Sequence, residues 1–296
     1  MPVLKRILVA TDLSPAGQRA VMRAGQLARQ WEAQLFLAHA RPDWNLFSRW
    51  LPASSDSYQD VARSSDAPMR GALADLESRF GVHARCDSRL GKASSVIAAL
   101  VAELEPHLVV VGARGEHEAP AAAPCLGGTA LKLLARVQAP LLLVRRAADV
   151  LYSSAFVAVD VASALSRRMV LWGSGLVPGG DCHIVHACDV PYIERMRLQE
   201  VDETLLERRM KQSEEAASLM ARELAGAAEG AAKLQTRTVR GEPVTSILAE
   251  IDRVGPQIVV VGKKEPEGLH GQHWAMGGVG FRIAYHAPTD VLVLAP

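Results

Sequence analysis

An internal repeat constrains this chain more than any other feature. Residues 106–112 read PHLVVVG, and residues 256–262, 150 positions later, read PQIVVVG. Gly91 in GKASSVI and Gly241 in GEPVTSI keep the same offset, as do Gly127-Gly128 and Gly277-Gly278. Nearer the start of each copy, ILVATD matches FVAVD and sets Asp12 opposite Asp160. FLAHA matches HIVHA and sets His39 opposite His186. Landmarks in one order, at offsets of 147 to 150 residues, mark a duplicated domain. Each copy has about 150 residues, enough to bury a core of its own. The boundary is expected near residues 146–150, giving domains 1–147 and 148–296. No long Pro-, Gly- or Ser-rich linker lies between them, so the copies are expected to pack together.

Within a copy, short apolar runs alternate with helical periodicity. In the first, strands are expected at 6–11, 34–39, 83–88, 108–112 and 141–144, nearly continuous in apolar character, as parallel strands covered on both faces are. Helices are expected at 15–31, 93–104 and 129–137. Ser14 is the N-cap of the first and Pro15 its first helical residue. The Ser-rich segment 44–68 is expected to be looped in part. Its counterpart, 191–229, has Leu and Met at helical spacing and reads as an amphipathic covering helix, with a partner-binding helix as the alternative. The βαβα order implies an open parallel sheet with right-handed crossovers, a Rossmann-like α/β fold. Ligands of such sheets lie beyond the carboxyl ends of the strands, where the strand order reverses.

Charge and cysteine usage narrow the setting. A formal net charge of +1 provides no global field for nucleic acid or an anionic membrane. No apolar run approaches the ~18 residues of a membrane span. Cys86, Cys125, Cys182 and Cys188 form no CxxC pair, and no signal-like run opens the chain. A reducing, cytoplasmic setting is expected.

Three segments are candidates for chemistry. Asp12 follows the strand ILVAT, where a carboxylate can accept hydrogen bonds from ribose hydroxyls or an adenine amine. Its bland reading is a helix cap, but Ser14-Pro15 is the better cap and is expected to free it. Asp160 has no such neighbour and is expected to serve capping or structure. Gly112-Ala113-Arg114-Gly115 follows LVVV, where glycine lets backbone amides approach phosphate and Arg114 adds charge; an ordinary turn uses glycine too. Gly127-Gly128-Thr129 opens a helix whose N-terminal amides and dipole favour anions.

These segments, with FLAHA, Gly91-Lys92-Ala93 and APLLLV, resemble the universal stress protein family along the whole chain, the second half being a diverged copy. The resemblance implies two tandem Rossmann-like (adenine nucleotide alpha hydrolase-like) domains, each a parallel five-stranded sheet flanked by helices. It implies a pseudo-dimer within one chain, in which LLLVR and DVLVLAP pair, and is compatible with a homodimer. It also implies ATP with Mg2+ in the first domain: Ala10, Asp12 and Ala40 bordering the adenosine, and Gly112, Gly115, Gly127, Gly128 and Thr129 cradling the phosphates.

The chain departs from the family pattern in several places. Residues 116–126 separate Gly115 from Gly127, two more than the family spacing, and Gly128 replaces the expected hydroxyl residue. In the second copy Glu265 stands where the second glycine of GxxG belongs, and Val279 has no hydroxyl. A carboxylate there repels a triphosphate, so the second copy is expected not to bind nucleotide.

Other signals are weaker. There is no GxxxxGK[ST] loop and no SGGxDS loop. Gly173-Ser174-Gly175 precedes a strand and is expected to end the helix before it. In CHIVHACD, Cys182, His186 and Cys188 share a strand face and His183 points away. Zinc needs three or four converging ligands, so buried small residues are expected there, with His270 and His273 as the minority metal reading. No nucleophile, base and orienter can be assembled. The expected function is a nucleotide-responsive regulatory stress protein; a slow ATPase and a nucleotide-free scaffold are the alternatives.

Overall fold

The computed structural model describes residues 4–41, 56–114, 126–188, 203–226, 228, 230, 232–263 and 278–296. It divides into two compact units, Val3–Leu151 and Tyr152–Pro296. Among the described residues no helix is long and apolar enough to cross a membrane.

The first unit runs β1 (Arg6–Thr11), α1 (Pro15–Trp31), β2 (Gln34–Arg41), α2 (Asp56–Phe80), β3 (Ala84–Leu90), α3 (Ala93–Leu104), β4 (Leu108–Gly112), α4 (Gly128–Arg136) and β5 (Leu141–Val144). The strands lie in the order β3-β2-β1-β4-β5 and every neighbouring pair is parallel. The second unit runs β6 (Ser154–Val159), α5 (Leu165–Leu176), β7 (Asp181–Cys188), α6 (Glu203–Gly226), β8 (Lys233–Arg240), α7 (Pro243–Val254), β9 (Ile258–Gly262), α8 (Val279–His286) and β10 (Asp290–Leu294). Its order, β8-β7-β6-β9-β10, is the same topology, again parallel throughout. Each unit is a Rossmann-like α/β domain with one five-stranded sheet.

The central strands are the most apolar because helices cover both faces. Ile7, Leu8 and Val9 of β1 and Val109 and Val110 of β4 are fully buried, as are Phe156, Val157, Val259 and Val260 in the second unit. β3 differs from its apolar expectation: it is an edge strand, its residues are half-buried or exposed, and it extends to Leu90. Ser14 caps α1 as expected, accepting from the Gly17 amide at 3.1 Å, and Pro15 opens the helix.

Of the segment 44–68, expected to be looped in part, the described residues are helical. Helix α2 begins at Asp56 and contains Pro68, while 44–55 lie outside the described residues. Proline removes one helical hydrogen bond. Here Met69, Ala72 and Leu76, at i, i+3 and i+7, bury a face that offsets the loss, and Leu76 and Phe80 approach Gly25 of α1. The expected covering helix of the second copy is α6.

Gly173-Ser174-Gly175 also differs from its reading as a helix end. The three are buried inside α5, which stops at Leu176. A Cβ on Gly173 would collide with Val157, so this glycine lets α5 lie close on β6. At the end of the first unit, buried Arg23 and Gln26 of α1 reach the carbonyls of Ala147, Ala148 and Val150 at 2.8–3.1 Å. The connecting residues are thereby held on the first unit's own helix.

Candidate functional site

In the first unit the strand order reverses between β1 and β4, and a cleft opens at their carboxyl ends. β1 contributes Ala10 and Thr11, the turn after it Asp12, and β2 contributes Ala38 and Ala40. Val111, Gly112 and Arg114 come from β4 and the turn after it. Gly127, Gly128, Thr129 and Ala130 come from the start of α4, and Gly17, Ala93 and Ile97 from the starts of α1 and α3. Three helix N-termini therefore border one cleft and bias it toward anions. The cleft encloses about 130 Å³. That is less than the roughly 300–1,000 Å³ of a small-molecule pocket, so a whole nucleotide would project beyond it.

Every sequence-predicted site residue except Gly115 lines this cleft; Gly115 lies outside the described residues. The sequence reading missed the small walls: Gly17, Ala38, Ala93 and Ala130. One of them carried a signal. Glycine inside a helix costs about 1 kcal/mol relative to alanine, so Gly17 in the first turn of α1 needs a reason.

That reason is Asp12. A Cβ on Gly17 would lie 2.5 Å from Asp12 Oδ1 and 2.7 Å from Thr11 Oγ1. Ser14 rather than Asp12 is the N-cap of α1, as expected, yet the Asp12 carboxylate is engaged by Ser14 itself. Its Oδ1 accepts from the Ser14 amide at 3.1 Å and from the Ser14 hydroxyl, which itself caps α1. The physical cause is Leu13, whose left-handed φ of 65° curls Ser14 back onto the carboxylate. Oδ2 has no hydrogen bond among the described residues, and the Asp12 side chain is exposed.

The glycines divide their duties. The Gly127 amide donates to the Ala113 carbonyl at 2.8 Å and is not available to a ligand. No side chain caps α4, so the first-turn amides of Gly128, Thr129 and Ala130 are its open donors. A Cβ on Gly112 would meet the Ala16 carbonyl oxygen at 3.2 Å, so this glycine lets β4 end beneath the first turn of α1. Among the described residues lining the cleft, Asp12 is the sole carboxylate, and no histidine or lysine joins it.

In the second unit Asp160 Oδ1 accepts from the Ala162 amide at 3.2 Å, a local turn contact. Gly278 is the N-cap of α8, and Val279 is its exposed first residue. Glu265, His270, His273 and, in the first unit, Cys125 lie outside the described residues. On β7, Cys182 and Cys188 are buried, and burial pushes the Cys182 thiol up to about 12. Cys188 contacts the Ser213 hydroxyl at 3.3 Å, and His186 Nδ1 is bonded to the Val159 carbonyl. Burial lowers the His183 imidazole below its ordinary value. Among the described residues no group of three or more His, Cys, Asp or Glu side chains is placed to hold a metal ion.

Comparison with known proteins accords with this architecture. The universal stress protein family model matches residues 4–145 and again 152–295. No curated protein sequence matches the chain. Among solved structures, the chain is similar to a universal stress protein from Archaeoglobus fulgidus at 16% identity and a TM-score of 0.70, covering 98% of each chain. A putative universal stress protein from Pseudomonas aeruginosa aligns at 16% identity and a TM-score of 0.65, over 99% of this chain and 94% of that one. At such identities the likeness concerns the fold. The paired family match, with the same parallel topology in each half, makes this chain a tandem two-domain member of the universal stress protein family.

Proposed function

We propose that the first unit binds an adenine nucleotide, ATP with Mg2+, and that the protein is a nucleotide-responsive regulatory stress protein rather than a turnover enzyme. The observation that carries this reading is the convergence of Asp12, Gly112, Arg114 and Gly127–Thr129 on one cleft at the strand-order reversal. Ala10, Ala38 and Ala40 form a flat apolar wall suited to a purine face. Asp12 Oδ2 is open to accept from a ribose hydroxyl. The amides of Gly128, Thr129 and Ala130 point donors at phosphate oxygens, with Arg114 as counter-charge. Mg2+ would neutralise the phosphate chain, and the Thr129 hydroxyl is the cleft oxygen nearest in sequence to those amides. Hydrolysis needs a base for the attacking water. Among the described cleft residues Asp12 alone has that chemistry, and its Oδ1 already holds Ser14.

The long segment 116–126 favours the second reading, a scaffold without nucleotide. The discriminating experiment is calorimetric titration of ATP with magnesium into nucleotide-stripped protein and into Gly127→Trp. One equivalent per chain, lost in the variant, supports the proposal. No heat at millimolar ATP in folded protein replaces it with the scaffold. Hydrolysis that depends on Asp12 or Thr129 replaces it with a slow ATPase.

A further inference from the structure

β8 closes one end of the second unit's sheet, with β7 its one described neighbour. The Lys233 amide donates to the Gly180 carbonyl at 2.7 Å, and the Gly241 amide to the Cys188 carbonyl at 3.2 Å. In a parallel ladder every second residue bonds to the same neighbour, so the odd-numbered residues of β8 are committed to β7. Leu234, Thr236 and Thr238 turn their amides and carbonyls the other way, to an edge without a partner among the described residues. Arg240 shares that direction, and its carbonyl accepts from the Ser246 hydroxyl at 3.0 Å.

Helix α6 lies along this edge and leaves a groove beside it. Ala217 and Ala221 are its buried face, and the Ser218 hydroxyl meets that of Thr238 at 2.9 Å. Two hollows, of about 560 and 380 Å³, follow the groove and meet at Arg222. The larger is lined by Lys211, Glu214, Glu215, Leu219 and Arg240, and the smaller reaches Leu234 and Thr236. Leu219 is an apolar wall, 59% exposed. The charges are unevenly matched. Arg240 binds Glu214 at 2.6 Å, whereas Lys211, Arg222 and, on the strand, Lys233 have no ionic partner among the described residues. Glu215 is the one unpaired carboxylate among the described lining residues. In the first unit the edge strand β3 is different: Arg89 is neutralised by Asp87 and Glu103 at 2.6–2.8 Å. β8 carries Lys233, Arg237 and Arg240 and no acid. Two copies of the chain paired through β8 would set these cations against their like, which disfavours a second copy as the occupant.

We propose that the free edge of β8 and the groove beside α6 dock an extended acidic segment of another protein, which adds to the sheet as a further strand. Its main chain pairs with the outward amides and carbonyls of Leu234, Thr236 and Thr238. Every second side chain of the segment then points to the α6 side of the sheet. Lys211 and Arg222 are eleven positions apart on α6, about 16 Å at the helical rise. Five residues of an extended segment span roughly 17 Å, so carboxylates at its first and fifth positions reach both cations and an apolar third residue lies along Leu219. This docking is independent of whether the first unit takes a nucleotide.

The test is fluorescence anisotropy with the full chain and a labelled peptide whose core is Glu-Thr-Val-Thr-Glu, against a control with Lys in place of Glu. Three variants are compared with the unaltered chain, each checked for native circular dichroism. Arg222→Glu and Glu215→Gln change exposed positions of α6. Thr236→Pro removes an outward amide, at an edge position where proline is tolerated. The acidic peptide is expected to bind, roughly fivefold more weakly to Arg222→Glu and to Thr236→Pro and more tightly to Glu215→Gln, and the lysine peptide is expected not to bind. In hydrogen exchange the amides of Leu234, Thr236 and Thr238 should be open in the chain alone and protected by the acidic peptide. No binding at millimolar acidic peptide, or equal binding of the two peptides, overturns the proposal. So does undiminished affinity in Arg222→Glu or Thr236→Pro, or no gain in Glu215→Gln. Protection of those amides before peptide is added also overturns it, because the edge is then covered by the chain itself or by a second copy. If Thr236→Pro loses its native spectrum, Arg222→Glu and the exchange pattern decide.

Discussion

The imidazole of His39 donates from Nδ1 to the carbonyl oxygen of Thr11 at 3.0 Å, across the β1–β2 pair at the edge of the cleft. A carbonyl can only accept, so the proton sits on Nδ1. The second unit repeats the bond, His186 Nδ1 to the Val159 carbonyl at 3.0 Å. His39 is buried, and deleting its ring leaves the Thr11 carbonyl without that donor. His39→Ala is expected to destabilise the first unit by about 1–3 kcal/mol. Urea unfolding followed by circular dichroism measures it; a midpoint unmoved from that of the unaltered chain would sink the idea.

Ser14 joins helix α1 to Asp12, accepting from the Gly17 amide and donating to the Asp12 carboxylate. Ser14→Ala is expected to cost about 1 kcal/mol as a lost N-cap. It also removes the hydroxyl that holds Asp12 Oδ1, so ATP affinity should fall with stability. Stability lost without any change in the titration would restrict Ser14 to capping.

Glu105 ends α3 at φ 43°, a left-handed conformation that penalises a side chain, and its amide donates to the Val101 carbonyl. The second unit has Gly255 there, at φ 62°. Glu105→Gly is expected to stabilise the first unit by about 0.5–1 kcal/mol, after the gain in unfolded-chain entropy is offset. Thermal melting checks this, with Glu105→Ala as the control that should show no such gain.

Buried Glu250 binds Arg253 through both its oxygens, at 2.6 and 2.9 Å, and Arg237 at 3.0 Å. These partners, Arg253 foremost, hold its carboxyl below the ordinary value of 4.5. The native state therefore favours the ionised form. Its stabilisation is full above the ordinary value and is lost as pH falls through the depressed one. The stability gap between the unaltered chain and Glu250→Gln should be constant near neutrality and close on acidification. A gap of equal size at pH 3 and pH 7 would refute it.

The repeat, the β-strand cores and the limits of α1, α3, β4 and β5 were legible in the sequence because short-range rules set them. Apolar periodicity marks what must be buried, and Ser14-Pro15 is a local start signal. The candidate site was legible in outline for the same reason: Asp12, Gly112 and Gly127 each sit where an apolar strand ends or a helix begins. Parallel topology then brings those ends to one edge.

What the sequence determined by itself was therefore the duplication, the fold class and the edge of the sheet that carries the candidate cleft. Tertiary structure decided the rest. It started α2 ahead of Pro68, because Met69, Ala72 and Leu76 found a buried face. It turned Asp12 onto Ser14, because Leu13 adopts a left-handed φ that no motif announces. It spent the Gly127 amide on Ala113, and it set Leu165 against Gly262 where the first unit has the Ala16 backbone against Gly112. Local propensity is written in neighbouring residues, whereas these contacts join residues far apart in the chain or depend on a single backbone angle, and their energies exist only once the sheet has assembled them.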